Sequence, residues 1–228
     1  MLSKNKVILA VGFAYVACAA THANANLLTN GSFELGTLVN DGNATQTFNA
    51  GPTAITGWNA VGRQVSWIEA GNPFALSAED GSRFLDLTAY NPGPPFGGVT
   101  QTVATTIGAQ YSLSFFLGSY TAVWGGPPVS ILASAGGASQ TFTDPAVTTT
   151  STWVPFTLPF TATSASTAIT LTGAAGLNYI GLDNVDVEFV SGPSTGVPEP
   201  GTYGLIALGF AALAVMGSRS RRPNAPRS

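Results

Sequence analysis

The side chains able to do chemistry in this 228-residue chain are few, and their types narrow it at once. The one histidine, His22, and the one cysteine, Cys18, both fall within the first 25 residues. A processed chain that begins at Asn26 has neither. That excludes Ser-His-Asp and Cys-His nucleophiles, zinc sites built on imidazole or thiolate, and thiol redox chemistry. A single cysteine also excludes an internal disulfide framework. Carboxylates remain. All eleven acids lie between residues 26 and 200, where the only bases are Arg63 and Arg83, a balance of −9. Glycoside hydrolysis needs two carboxylates facing one cleft. Glu69, Glu79, Asp80 and Asp86 are available, but their spacing joins no two of them, and Asp80-Gly81 reads as a turn. The expectation is a protein that is not an enzyme. With no basic patch to displace counterions from phosphate, nucleic acid is not an expected partner.

Aromatic rings supply the other chemistry. A pyranose stacks its C–H face on an exposed ring while amides, acids or arginine bond its hydroxyls. Trp58, Trp67, Tyr90 and Trp124 are the candidate platforms, with Arg63, Gln64 and Asn91 as polar neighbours. Tyr90 and Trp124 stand in Gly/Pro-rich stretches that read as loops. Core packing is the competing role, above all for Trp58 and Trp67, because tryptophan in a sandwich is usually buried.

The elements that must position these groups show period-two alternation. Residues 111, 113, 115 and 117 are apolar, as are Val154, Phe156, Leu158 and Phe160, and as are Val185, Val187 and Phe189. This is the pattern of half-buried strands. Further strands are expected at 65–68, 84–87, 99–103, 129–135 and 168–171, giving eight or nine in all. Pro155 and Pro159 remove ladder donors, so their strand is expected at a sheet edge. Turn signals such as Asn30-Gly31, Asp80-Gly81 and Gly136-Gly137 separate the runs. The predicted fold is all-β, a two-sheet antiparallel jelly-roll sandwich over residues 26–190.

The two ends read as targeting segments. Lys4 and Lys6 precede an apolar run at 7–20, and Ala23 and Ala25 form a small-x-small cleavage pattern, so residues 1–25 are a predicted signal peptide handled by the Sec translocon and signal peptidase. At the other end, 191–196 is a Ser/Pro/Gly linker. Val197, Pro198, Glu199 and Pro200 follow, then residues 201–218 without a charge, then Arg219, Arg221 and Arg222. Eighteen helical residues rise about 27 Å, enough for a bilayer core. The arginines are expected inside and the sandwich outside, with 223–228 as a cytoplasmic tail.

The Pro-Glu-Pro tripeptide, short apolar segment and arginine cluster together resemble the PEP-CTERM sorting signal, at 197–222. That resemblance implies an exosortase-type membrane protease as partner and a precursor anchored in the inner membrane of a Gram-negative bacterium. It further implies delivery to the cell surface or extracellular matrix and an association with exopolysaccharide and biofilm. A second resemblance spans the ectodomain. Asn26-Leu-Leu-Thr-Asn-Gly-Ser-Phe-Glu34 looks like the opening strand of galactose-binding-like jelly rolls, which include many carbohydrate-binding modules. Residues 78–87, 97–103, 111–115 and 181–187 follow in the family's order. This resemblance implies a structural calcium between first and last strands, with Glu34 and Asp183 as carboxylate ligands and Asn30 nearby. It also implies an extracellular polysaccharide as ligand. The reading at this point is an exported, exosortase-sorted surface or matrix protein that binds glycan. The alternatives are a coat or adhesion protein without a glycan site and, less favoured, a polysaccharide-acting enzyme.

Overall fold

The computed structural model describes residues 25–73, 76–91, 93–120, 127–145, 152–177 and 179–193. Signal segment, sorting motif and Trp124 lie outside them; of the cleavage pattern only Ala25 falls within. Ten strands run in chain order: β1 Thr45–Pro52, β2 Asn59–Glu69, β3 Arg83–Asp86, β4 Gly97–Ala104, β5 Gln110–Ser119, β6 Val129–Ala135, β7 Ala138–Asp144, β8 Thr152–Thr161, β9 Ser166–Ala175 and β10 Gly181–Ser191. All pairings are antiparallel. No helix occurs among the described residues.

The path β7-β6-β9-β4-β2-β3-β10-β5-β8 folds into two layers because β2 serves both. Its first half pairs β4 (Ala60 with Val99) and its second half pairs β3 (Trp67 with Leu85), while β1 lines its other edge throughout. The inner faces meet in one core. Val99, Ile131, Ala133, Ile169 and Leu171 come from one layer, and Leu113, Phe115, Leu117, Leu158, Leu182 and Val187 from the other. Each such fully buried large side chain contributes about 1.5–3 kcal/mol of transfer free energy. The jelly-roll sandwich expected from alternation is therefore the observed fold, and β8, with Pro155 and Pro159, is an edge strand.

Three details depart from expectation. β1 and β7 carry no apolar alternation; they are outer strands of largely polar residues, mostly half-buried in β1 and mostly exposed in β7, held by ladder hydrogen bonds. The opening segment 26–34 is not a strand but a run of turns. It is tied to β10 by Leu27 N to Val187 O (2.9 Å) and Val185 N to Gly31 O (2.9 Å), and Asn30 takes a left-handed conformation (φ 61°). Finally, Asp183, which two-residue alternation alone would set on the same face as Val185 and Val187, does not share it. Leu182 pairs Leu117 and Asp183 pairs Phe116, then the register slips before Asp186 meets Ser114. This bulge, with Asn184 at φ 47°, inserts one residue and flips the parity. Asp183 thus lies on the face away from the core, yet is fully buried because the β2–β3 connection crosses over it.

Candidate functional site

The solvent-side face of the β2-β3-β10-β5-β8 sheet gathers polar and aromatic groups, and the register builds it. Thr47, Ser66, Asp86, Gly181, Gly118 and Trp153 are successive partners across six strands. Two adjacent glycines in mid-row leave a bare bed. The Trp153 indole lies across it: a Cβ on Gly118 would stand 2.5 Å from that ring and one on Gly181 3.0 Å from it. Trp153 Nε1 donates to Ser77 O (2.9 Å), and its ring meets Phe84 edge-on at 5.8 Å. Phe84, Ile68 and Leu76 form a small apolar cluster on this outer face, against which Trp153, Tyr120 and Tyr179 pack.

Two residues further along the strands come Thr88, Tyr179 and Tyr120. The tyrosine rings are 6.4 Å apart and each is half-buried. Burial, and then the charge of Asp86, raise the Tyr179 phenol, with Tyr120 and Tyr90 adding to the shift; these four groups share one neighbourhood. Tyr90 is 58% exposed, its hydroxyl donating to Asp41 Oδ2 (3.2 Å). Asp86 is 2% exposed. Its Oδ1 accepts from Thr88 N (2.9 Å), Thr88 Oγ1 (2.7 Å) and Ile180 N (3.2 Å). Desolvation outweighs those donors and pushes its carboxyl up to about 6. Asp41, at the surface, is instead lowered, first by the Thr45 hydroxyl. A chain of amides, Asn91 to Gln64 to Asn49, edges the shelf.

Open rings beside fixed hydroxyl, amide and carboxylate groups suit a ligand with one apolar face and a hydroxylated rim. Of the sequence-nominated platforms among the described residues, Tyr90 alone stands here. Trp58 and Trp67 are core residues, 2% and 0% exposed. Their indole N–H groups donate to Asn30 O and Phe33 O, both at 2.9 Å. Trp67 points inward on β2, and its ring carries the Arg83 guanidinium at 4.7 Å. They are removed as glycan contacts. Arg63 is exposed on β2, its amide donating to Phe96 O (3.3 Å).

The calcium candidates are placed together but engaged otherwise. Asp183 Oδ2 accepts from Glu79 N (2.8 Å) and Asp80 N (3.1 Å), and Oδ1 from Asn184 N (2.7 Å). Glu34 Oε1 accepts from Ser82 N (2.8 Å) and Arg83 N (2.7 Å), and Oε2 from Ser82 Oγ (2.9 Å). The two carboxylates clamp one loop, 79–83, from either side. Asn30 caps its own turn, accepting from Leu35 N and donating to Leu35 O and Thr56 O. Calcium takes six to eight converging oxygens. Here the oxygens face amide hydrogens, and among the described residues no three Asp, Glu, His or Cys side chains group around a possible ion. As placed, the two carboxylates form a clamp closed by amides. Desolvation still raises the Asp183 carboxyl to about 7.

Trp153, Tyr120 and Tyr179 were not nominated from sequence. For Trp153 a signal existed: if Val154, Phe156, Leu158 and Phe160 face the core, Trp153 must face away. Tyr120 and Tyr179 needed the β5–β10 register, which pairs Gly118 with Gly181 and so brings the two rings side by side.

The family described as a protein of unknown function, DUF642, matches residues 26–178, and the PEP-CTERM protein-sorting motif matches residues 196–222. No curated protein matches the sequence. Similar solved structures include TmCBM61 in complex with β-1,4-galactotriose, at 15% identity over 73% of this chain and 99% of that one, TM-score 0.46. A CBM4 structure aligns at 17% identity over 72% and 99%, TM-score 0.43. The tandem CBM22-1-CBM22-2 domain of Paenibacillus barcinonensis Xyn10C aligns at 17% identity over 76% and 49%, TM-score 0.45.

Proposed function

This chain belongs to the DUF642 family and carries a PEP-CTERM sorting motif, and from that premise we propose that it is a non-catalytic glycan-binding protein of the cell surface. The motif makes it a secreted, membrane-anchored precursor sorted to that surface through an exosortase. The finer reading places the precursor in a Gram-negative inner membrane, after Sec export and signal cleavage, and the released sandwich in an exopolysaccharide matrix.

The observation that carries glycan binding is the shelf of Trp153, Tyr120, Tyr179 and Tyr90 on the solvent side of the sheet, bordered by Asp86, Asp41, Gln64 and Asn91. Stacking on each well-placed ring supplies about 0.5–1.5 kcal/mol beyond area burial. The shelf's charged groups are carboxylates, so it favours neutral pyranoses over uronates, whose like charge would be repelled. A binding role also accounts for the acids better than hydrolysis does. Asp86 is buried and held by three donors, and Asp41 is held by Thr45 and Tyr90.

Affinity electrophoresis of the processed protein through gels containing neutral or uronate-rich polysaccharides tests this. Retardation by a neutral polymer, lost by about tenfold in affinity in Tyr179→Ala with the melting temperature little changed, is the expected result. No retardation on any polymer, with self-association instead, would move the protein to the coat reading. Turnover of the polymer would make it an enzyme.

A further inference from the structure

The far ends of β5 and β10 carry a second surface of a different kind. β10 ends at Ser191, whose Oγ donates to Gln110 Oε1 (3.1 Å) at the start of β5. Pro193 then packs against Gly108, where a Cβ would sit 3.2 Å from the proline ring. Here the chain leaves the sandwich towards the sorting motif. Around this exit stand Leu27, Ile107, Phe189 and Val190, 39%, 62%, 39% and 58% exposed. Tyr111 is their common floor. It stacks on Phe160 at 5.4 Å and meets Phe189 edge-on at 5.8 Å. A groove of about 540 Å³ runs on one side of Tyr111, past Val190, and one of about 300 Å³ on the other, past Leu27 and Phe189. No residue lining either groove is charged, although the segment as a whole carries −9. Glu188, one step back, is paired with Ser112 on the sheet's polar face.

Position identifies the occupant. From Pro193 to Tyr203, where the apolar stretch of the sorting signal begins, is ten residues, a reach of at most about 35 Å. In the anchored precursor this end of the sandwich is therefore confined next to a bilayer. A tether this short puts the apolar patch at an effective concentration near the millimolar range, so contacts too weak to hold a free protein suffice. An uncharged rim, exposed aliphatic side chains and the exposed Phe189 ring are the chemistry of the headgroup–acyl boundary.

We propose that in the anchored precursor this apolar pole rests on the membrane that the sorting segment spans, with Leu27, Ile107, Phe189 and Val190 at the headgroup–acyl boundary. The Tyr90–Tyr120–Tyr179 shelf, at the opposite ends of the same strands, is thereby held facing away. The proposal rests on the sorting motif and does not depend on what the shelf binds.

The signal-processed chain, which begins at Asn26 and so has no native cysteine, can be reconstituted in phosphatidylcholine vesicles with a bimane label at Ile107→Cys, Val190→Cys or Tyr90→Cys, and flotation confirming insertion. With 5-doxyl phosphatidylcholine in the bilayer, emission at 107 and 190 should fall to about half or less while that at 90 is unchanged. A label at Leu27→Cys should lose its quenching when Phe189→Asp and Val190→Asp are added. Equal quenching at all three positions overturns the proposal. So does unquenched emission at 107 and 190 with pyrene excimers between labelled chains, which would assign the patch to a second copy.

Discussion

β5 and β10 run side by side for most of their length, yet their two ends have opposite chemistry. Where β5 finishes and β10 begins, Gly118 faces Gly181 and the flanking residues are Tyr120, Tyr179 and Asp86. Polar groups there are fixed by named partners, and the Trp153 ring lies over the paired glycines. Where β5 begins and β10 finishes, Tyr111, Phe189 and Val190 leave an apolar rim with few directional contacts. About ten residues of strand, roughly 30 Å, separate the two. One pair of strands thus carries a surface suited to a hydroxylated ligand and one suited to a lipid boundary. The difference lies in glycine and the hydrogen-bonded bulge at one end, and in exposed branched and aromatic side chains at the other.

The contrast breaks most severely at the clamp. Asp183→Ala deprives three part-buried amide donors of their acceptor and frees the loop over the outer face, so urea unfolding should show a loss of about 3 kcal/mol. A loss under 1 kcal/mol would mean that the clamp does not organise the shelf end. Asp86 sharpens the same end through pH. Its folded carboxyl titrates near 6 against an ordinary 3.8, so the folded state holds that proton more tightly than the unfolded one. Its contribution is fully present below about pH 4 and is lost as pH rises through 6, an effect of about 3 kcal/mol. The stability difference between the native protein and Asp86→Asn, measured from pH 4 to 8, should fall over that window and be flat above it. A difference independent of pH would show that Asp86 ionises in the folded state as freely as in water. The smallest expected effect is that of chelation. With carboxylates closed by amides, excess EDTA should leave the melting temperature unchanged. A drop of several degrees, absent in Asp183→Ala, would restore the calcium reading.

How much of this could be read in advance differs between fold and site. Alternation located eight of the ten strands because their inner faces are apolar. β1 and β7 escaped because an outer strand of polar residues has no such pattern. The tryptophans show the limit for sites. Trp58, Trp67 and Trp153 are alike as residues, but two fill the core and one lies on the sheet's outer surface. Simple parity with Val185 and Val187 would put Asp183 on the core face, and a single extra residue at the bulge reverses that.

The residues alone determined the sandwich, the absence of histidine and thiol chemistry from residue 26 onward, and the sorting signal, since composition and period-two burial are properties of a linear chain. Only the folded sheet decided the shelf, the clamp and the apolar pole. Each joins residues that are distant in sequence, such as Ser66, Asp86, Gly181, Gly118 and Trp153, and strand register is fixed by cooperative packing of the whole core.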